Sequence, residues 1–387
     1  MRRFFLIYLL LLICFSFKAQ FQFNFNDSIE VYRTNTALKY PWAGGLNYAQ
    51  FSEIDYDYDG DMDLLVFDRS NDQMRVFEQK IEGGVSFYKL DPLAYLEFPE
   101  QIRYRVFSID YNGDGKNDLF TYGIGGIKVF KNAGSPQLGL QWELAKDLLY
   151  SDYTGANLNL YVSSSDIPAI VDVDFDGDID ILTFHISGEY LQYHQNQSQE
   201  LYGHSDSLIF KLKNECWGGF REDVNTNFLI LNDITLPCTT GNVPNPGIKP
   251  NTSSVDKAHS GSTVLALDYD GSGVQDVVIG DVAYSNMNLL INGGTAPNTN
   301  SLMISVDPAF PSNSTPIAIN LFPAAYFVDV DFDGKKDLLV APNAKNISEN
   351  EKSIWKYKNT GTQSSANFVF ETKAFLQQDM IEHGTAS

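Results

Sequence analysis

Short apolar runs recur along the chain in pairs, each pair split by a nine-residue polar stretch. The pairs are "FSEI" and "LLVF", "VFSI" and "LFTY", "AIV" and "ILTF", "VLAL" and "VVI", and "YFV" and "LLV". They are rich in β-branched and aromatic residues and too short for helices, so they predict strands, with the polar stretch as the connecting loop. Further on, each complete unit has another apolar segment ending in a turn, as in "IKVFKNAG", "NLLINGG" and "WKYKNTG". A fourth strand candidate follows, for example "LQWELA", "SLMISV" or "FVFET". Four strands per unit and few convincing amphipathic helices predict an all-β chain built as a β-propeller of four-stranded blades.

The polar loops are copies of one motif, D-x-[DN]-x-[DS]-G-x-x-D, starting at Asp55, Asp110, Asp172, Asp268 and Asp329. Three of the four steps between copies are similar in length, and the one from Asp172 to Asp268 is much longer. The long step predicts an insertion over about 213–260, rich in Pro, Gly and Asn, which reads as a pinned surface loop. "DMIEHGTAS" at the end resembles "DKAHSGS" ahead of the fourth motif, so the chain is expected to stop within a sixth unit, with six or seven blades in a complete protein. The expected boundaries are a signal peptide over 1–19 and the propeller over 20–387.

The loop chemistry points to a cation. Calcium takes six to eight oxygens in a flexible shell, and loop positions 1, 3, 5 and 9 supply side-chain oxygens while Gly at position 6 folds the turn. Position 7 varies in type and is expected to contribute its backbone carbonyl. The candidate ligands are Asp55, Asp57, Asp59, Asp61 and Asp63 in the first copy, and Asp110, Asn112, Asp114, Lys116 and Asp118 in the second. The third offers Asp172, Asp174, Asp176, Asp178 and Asp180; the fourth Asp268, Asp270, Ser272, Val274 and Asp276; the fifth Asp329, Asp331, Asp333, Lys335 and Asp337. Positions 2 and 4, often aromatic (Tyr56, Tyr58, Phe175, Phe332), are expected to pack on neighbouring strands. An EF-hand is excluded, because it needs Glu at position 12 and this chain has Val66, Thr121, Thr183, Ile279 and Val340 there. With Lys plus Arg at 27 against 49 Asp plus Glu, the formal charge is −22. That disfavours nucleic acid and anionic lipid as partners. Five bound Ca2+ ions would bring it to about −12.

In tandem, these loops resemble those of the FG-GAP and VCBS repeat family, whose best-known relatives are the calcium-binding blades of integrin α-subunit propellers. The resemblance covers roughly residues 40–387, although the Phe-Gly and Gly-Ala-Pro signatures survive only as echoes in "VVIGD" and "LLVAPN". It implies structural calcium, carried here by the Asp, Asn and Ser positions just named, and a protein or glycan ligand on a propeller face away from the loops. A leader with such repeats also resembles large exported surface proteins of Gram-negative bacteria.

The N-terminus reads as that leader: "MRR", the apolar run Phe4 to Phe17, then "KAQ", with cleavage near Ala19. Fourteen apolar residues are short for a membrane span, and Ile13 ahead of Cys14 argues against a lipoprotein. Export is therefore expected, to the cell surface or beyond. It also makes a disulfide between the remaining cysteines, Cys216 and Cys238, a reasonable pairing, with two buried thiols as the alternative.

Catalytic signatures are sparse. The five histidines (His185, His194, His204, His259, His383) form no H-E-x-x-H, and no G-x-S-x-G or P-loop occurs. "GHSDS" at 203–207 sets His204 beside Ser205, but adjacent residues seldom face each other productively. Trp217 and Trp355 are read as core residues ahead of sugar-stacking ones. The leading expectation is a secreted calcium-binding adhesion or binding module that is not an enzyme; the alternative is the scaffold or carbohydrate-binding part of a polysaccharide-degrading hydrolase.

Overall fold

The computed structural model describes residues 26, 28–223, 226–233, 238, 261–344, 349 and 351–381. Five antiparallel sheets stand in a ring, making a five-bladed β-propeller. Blade 1 comprises Ala49–Ile54, Asp63–Asp68, Gln73–Glu82 and Val85–Asp91. Blade 2 comprises Val106–Ile109, Asp118–Gly123, Gly126–Asn132 and Trp142–Lys146. In blade 3 the strands are Ala169–Val171, Asp180–Phe184, Leu191–Asn196 and Phe210–Asn214. Blade 4 has Ser262–Leu267, Asp276–Asp281, Met287–Asn292 and Met303–Asp307. Blade 5 has Pro323–Val328, Asp337–Pro342, Trp355–Asn359 and Phe368–Thr372.

The apolar runs are continuous because each blade is covered on both faces. Along a second strand successive side chains enter different interfaces. Leu119 packs with Ile54, Leu65 and Phe67 of blade 1, whereas Phe120 packs with Ile170 and Ile181 of blade 3. One apolar cluster fills each of the five blade interfaces, the last joining Phe51, Leu64 and Val66 of blade 1 to Tyr326, Leu339 and Ala341 of blade 5. Trp142–Lys146, an outer strand, has no buried residue. An axial cavity of about 230 Å³ is lined by the inner strands of all five blades.

Three expectations are corrected. First, the ring closes with five blades, so a sixth has no gap to enter. Phe51 and Tyr326 meet edge to face at 5.6 Å between centroids, and the Asp329 backbone N–H donates to Glu53 Oε1 at 2.9 Å. A strap before blade 1 completes the closure: Gln377 Nε2 donates to the Leu46 carbonyl at 2.7 Å, and Tyr40 N to the Asp379 carbonyl at 2.9 Å. Second, blade 3 is six-stranded, because a hairpin of Tyr150–Asp152 and Asn157–Asn159 adds to its outer edge, with Ser151 parallel to Phe210. Third, the insertion is not simply a surface loop. The outer strand runs through Lys213 and Asn214, and Trp217, Phe220 and Leu229 are then buried between blades 3 and 4 against Val264 and Met303. Cys216 and Cys238 are joined, with Cα atoms 5.9 Å apart. The segment 1–19 read as a signal peptide, residues 239–260, His259, His383 and the final "EHGTAS" lie outside the described residues.

Candidate functional site

All five motifs connect the innermost strand of a blade to its second strand, so they gather on one face of the ring. The position 9 aspartate opens the second strand every time: Asp63, Asp118, Asp180, Asp276 and Asp337. Its Oδ1 accepts a third-strand backbone N–H in all five blades, from Gln79, Asn132, Asn196, Asn292 and Asn359, at 2.7–2.8 Å. In blades 1 to 4 its Oδ2 accepts the N–H of loop position 2, at 2.9–3.2 Å. These carboxylates are thus clamped by backbone donors, and Asp180 Oδ2 also accepts from the Tyr193 hydroxyl at 3.1 Å.

Position 1 folds the loop. Asp110 accepts from Gly113 and Gly115, both at 2.8 Å, and Asp329 accepts from Phe332 at 2.9 Å and Gly334 at 2.8 Å. Gly at position 6 has positive φ in every copy, from +80° to +100°, as the motif predicts. Position 4 is left-handed as well, at Tyr58, Gly113, Phe175, Gly271 and Phe332, with φ from 57° to 80°. The expected packing of positions 2 and 4 holds for Tyr56, Tyr58 and Phe332, but Phe175 is 47% exposed. Position 7 side chains take different partners. Asp178 Oδ2 accepts from Gln199 N at 2.9 Å, Lys116 and Lys335 reach the Gly134 and Asn359 carbonyls, and Val274 is buried.

The structure brings together Asp55, Asp57 and Asp59; Asp172, Asp174 and Asp180; Asp268, Asp270 and Asp276; and Asp329, Asp331 and Asp333, each set with ligand oxygens within 4.8 Å of one another. Blade 2, with Asn112, forms no such three-carboxylate set among the described residues. A fifth set adds a residue sequence reasoning missed, Glu200, beside Asp174 and Asp176. Glu200 follows the third strand, well outside its motif, so only the turn after that strand could have signalled it.

The donors fit a hard cation. Buried oxygens without a hydrogen-bond partner face the loops: Asp55 Oδ1 and Asp61 Oδ1, Asp174 Oδ1 and Asp178 Oδ1, Ser272 Oγ, and Asp331 Oδ1. Burial pushes the carboxyls of Asp63, Asp118, Asp178 and Asp276 up to about 7, and those of Asp61 and Asp337 up to about 6. Asp180 is raised well above the ordinary carboxylate range, first by burial and then by the charge of Asp174. Such buried anions call for a positive partner. In blade 1 Lys80 supplies part of it, contacting Asp57 at 2.5 Å and Asp59 at 3.7 Å.

Among the described residues, the three histidines form no acid–base pair with one another. His194 is fully buried, its Nδ1 2.9 Å from Ser151 Oγ, and burial pulls its pKa down to about 3. His204 stacks on Tyr202 and accepts from Asp206 N, and His185 makes a local turn contact with Ser187. Trp217 and Trp355 are core residues, 4% and 5% exposed. Among the described residues no helix is long and apolar enough to cross a membrane.

No family model matches the chain, and no curated protein matches it. Among solved structures it is similar to a lectin of Agrocybe aegerita that recognises non-reducing terminal N-acetylglucosamine, with 13% identity, 87% of this chain and 69% of that one covered, and a TM-score of 0.34. It is also similar to the Tc holotoxin pore of Photorhabdus luminescens, with 15% identity, 86% and 12% covered, and a TM-score of 0.36. A third, described as a gluconolactonase, has 10% identity, 86% and 88% covered, and a TM-score of 0.29.

Proposed function

We propose that this protein is an exported, calcium-stabilised propeller of the FG-GAP and VCBS type that binds a protein or glycan at the cell surface, with calcium structural and not catalytic. One observation carries the reading: the same oxygen-rich loop sits at the same register in every blade, clamped to third-strand backbone N–H groups, and in blades 1, 3, 4 and 5 it holds buried oxygens without hydrogen-bond partners. A role repeated around the ring belongs to the scaffold, because a catalytic centre needs one distinct constellation. Chelation would leave the loop carboxylates to repel each other. Calcium that binds only the folded state contributes RT ln(1+[L]/Kd), about 2.7 kcal/mol per site at a hundredfold excess over Kd.

The test has two arms. Scanning calorimetry of the purified protein in EDTA and in millimolar calcium is expected to show a clear rise in Tm with calcium; coincident curves reject the structural ion. A panel of immobilised glycans and extracellular matrix proteins, probed in both buffers and assayed in parallel for polysaccharide hydrolysis, is expected to show calcium-dependent binding without turnover. Turnover abolished by a substitution outside the loops would establish the hydrolase reading instead.

A further inference from the structure

The five loops share a motif but not a cation chemistry, and the third strand of each blade makes the difference. Counting back from the residue whose N–H meets the position 9 aspartate, blade 3 has Gln195 and Tyr193 where blade 5 has Lys358 and Lys356. The strand registers agree, since Leu182 pairs with Tyr193 and Leu339 with Lys356, each two positions past the motif's last aspartate. We propose that blade 3 carries the main divalent-cation site, completed by Glu200 from outside the loop, and that in blade 5 the Lys356 ammonium takes the place of an ion. The inference rests on reading the loops as cation cages and deepens it.

In blade 3, Asp174 belongs to two oxygen sets at once, one with Asp172 and Asp180 and one with Asp176 and Glu200. Glu200 lies on a short helix, Ser198–Tyr202, that follows the third strand. Gln195 holds it over the loop, its Nε2 donating to Asp174 Oδ2 at 2.5 Å and also to Glu200 Oε1. Gln197 Nε2 donates to Gln195 Oε1 at 3.0 Å, which fixes that amide's orientation. Asp174 is 4% and Asp178 1% exposed, and each keeps one buried oxygen without a hydrogen-bond partner. Five carboxylates therefore converge in the two sets, and among the described residues no lysine or arginine forms an ion pair with them; Lys213 acts on Glu200 only through its field. An oxygen-only, strongly anionic cage is what a calcium-sized ion takes.

Blade 5 answers its own charge. Lys356 is buried, with Nζ 3.6 Å from Asp331 Oδ2, 3.4 Å from Asp337 Oδ2 and 3.0 Å from Glu371 Oε2. Lys358 pairs with Asp331 and with Asp333, the latter at 3.2 Å, and Lys335 lies 3.5 Å from Asp333. A dication entering there would have to share the cage with these ammonium groups or expel a buried one, and either is costly. Blade 2 is compensated more loosely, by Lys116 and Lys131 on Asp114. Blade 4 has no lysine in its loop but only three carboxylates and Ser272.

The test uses the full chain, stripped with EDTA and titrated with calcium alone. Ions bound per chain are read by native mass spectrometry and affinity by competition with a chromophoric chelator. Glu200→Gln is expected to weaken the tightest site about tenfold, because affinity follows ligand charge. Asp333→Asn in blade 5 is expected to leave both ion count and tightest affinity as in the parent. If Glu200→Gln leaves the tightest affinity unchanged, or Asp333→Asn loses an ion, the division of labour between blades 3 and 5 is overturned while the cage reading stands. A parent that binds no calcium at all overturns the cage reading itself.

Discussion

Asp118 accepts the Asn132 N–H at 2.8 Å and the Tyr111 N–H at 3.2 Å, and the third-strand half of that clamp repeats in all five blades. Removing it strands two buried donors, each costing about 1–3 kcal/mol. Burial, which pushes this carboxyl up to about 7, offsets part of the clamp's worth. Asp118→Ala is therefore expected to lose about 2–4 kcal/mol in urea unfolding, to a similar degree in EDTA and in calcium. A loss seen only in calcium would make Asp118 a ligand first and a clamp second. The motif announces the residue but not this double use, because the backbone partner Asn132 sits at the end of another strand, beyond the reach of the motif. The left-handed turn at position 4 was equally hidden, since three of its five residues are aromatic. Phe175 is exposed with φ 57°, so Phe175→Gly is expected to raise stability by about 0.5–1 kcal/mol, relieving strain against a modest entropic cost. Phe332 has the same backbone but packs on Tyr88 at 4.7 Å, so Phe332→Gly is expected to lose stability. Thermal melts of the two variants check the opposite signs.

Strand pairs flanking each motif are legible because a blade covered on both faces needs uninterrupted apolar strands, as Asp63–Asp68 shows with all six residues buried. The widened edge of blade 3 was not legible. Tyr150–Asp152 and Asn157–Asn159 are short and mostly exposed, and they join the sheet through a parallel pairing to Phe210–Asn214, a strand that three others of the same blade separate from them in sequence. His194 helps pin that hairpin, meeting Ser151 Oγ and the edge of the Tyr153 ring at 5.5 Å. Its folded pKa, about 3, lies below the ordinary value of 6.5, so the unfolded chain binds the extra proton between them. Its contribution is full above about pH 6.5 and is lost as pH falls toward 3. His194→Gln should therefore narrow its stability gap to the parent as pH drops from 7 to 4, with both measured in EDTA; a gap independent of pH would show that His194 does not titrate with folding.

Ring closure rests on residues far apart in sequence. Gln377 donates to the Leu46 carbonyl and accepts the N–H groups of Ser353 and Ile354 at 3.0 and 3.2 Å, which locks the strap before blade 1 onto blade 5. Gln377→Ala is expected to cost about 2–4 kcal/mol, read as a lower urea midpoint, because buried donors and a carbonyl lose their partner together. An unchanged midpoint would place the lock elsewhere in the strap. Unit spacing predicted five repeats and extrapolated to a sixth, yet the number of blades is set by when the first and last inner strands meet. No local repeat encodes that geometry.

Local rules wrote much of this protein plainly. Strand-forming runs, a glycine that must turn left and acids spaced for oxygen donation are properties of neighbouring residues, and neighbours can be read in order. The closure at five, the burial of Trp217 between blades 3 and 4, and the approach of Glu200 to one acidic loop and of Lys356 to another depend on side chains meeting across strands. Those meetings follow from packing a whole ring, which no single stretch of chain contains.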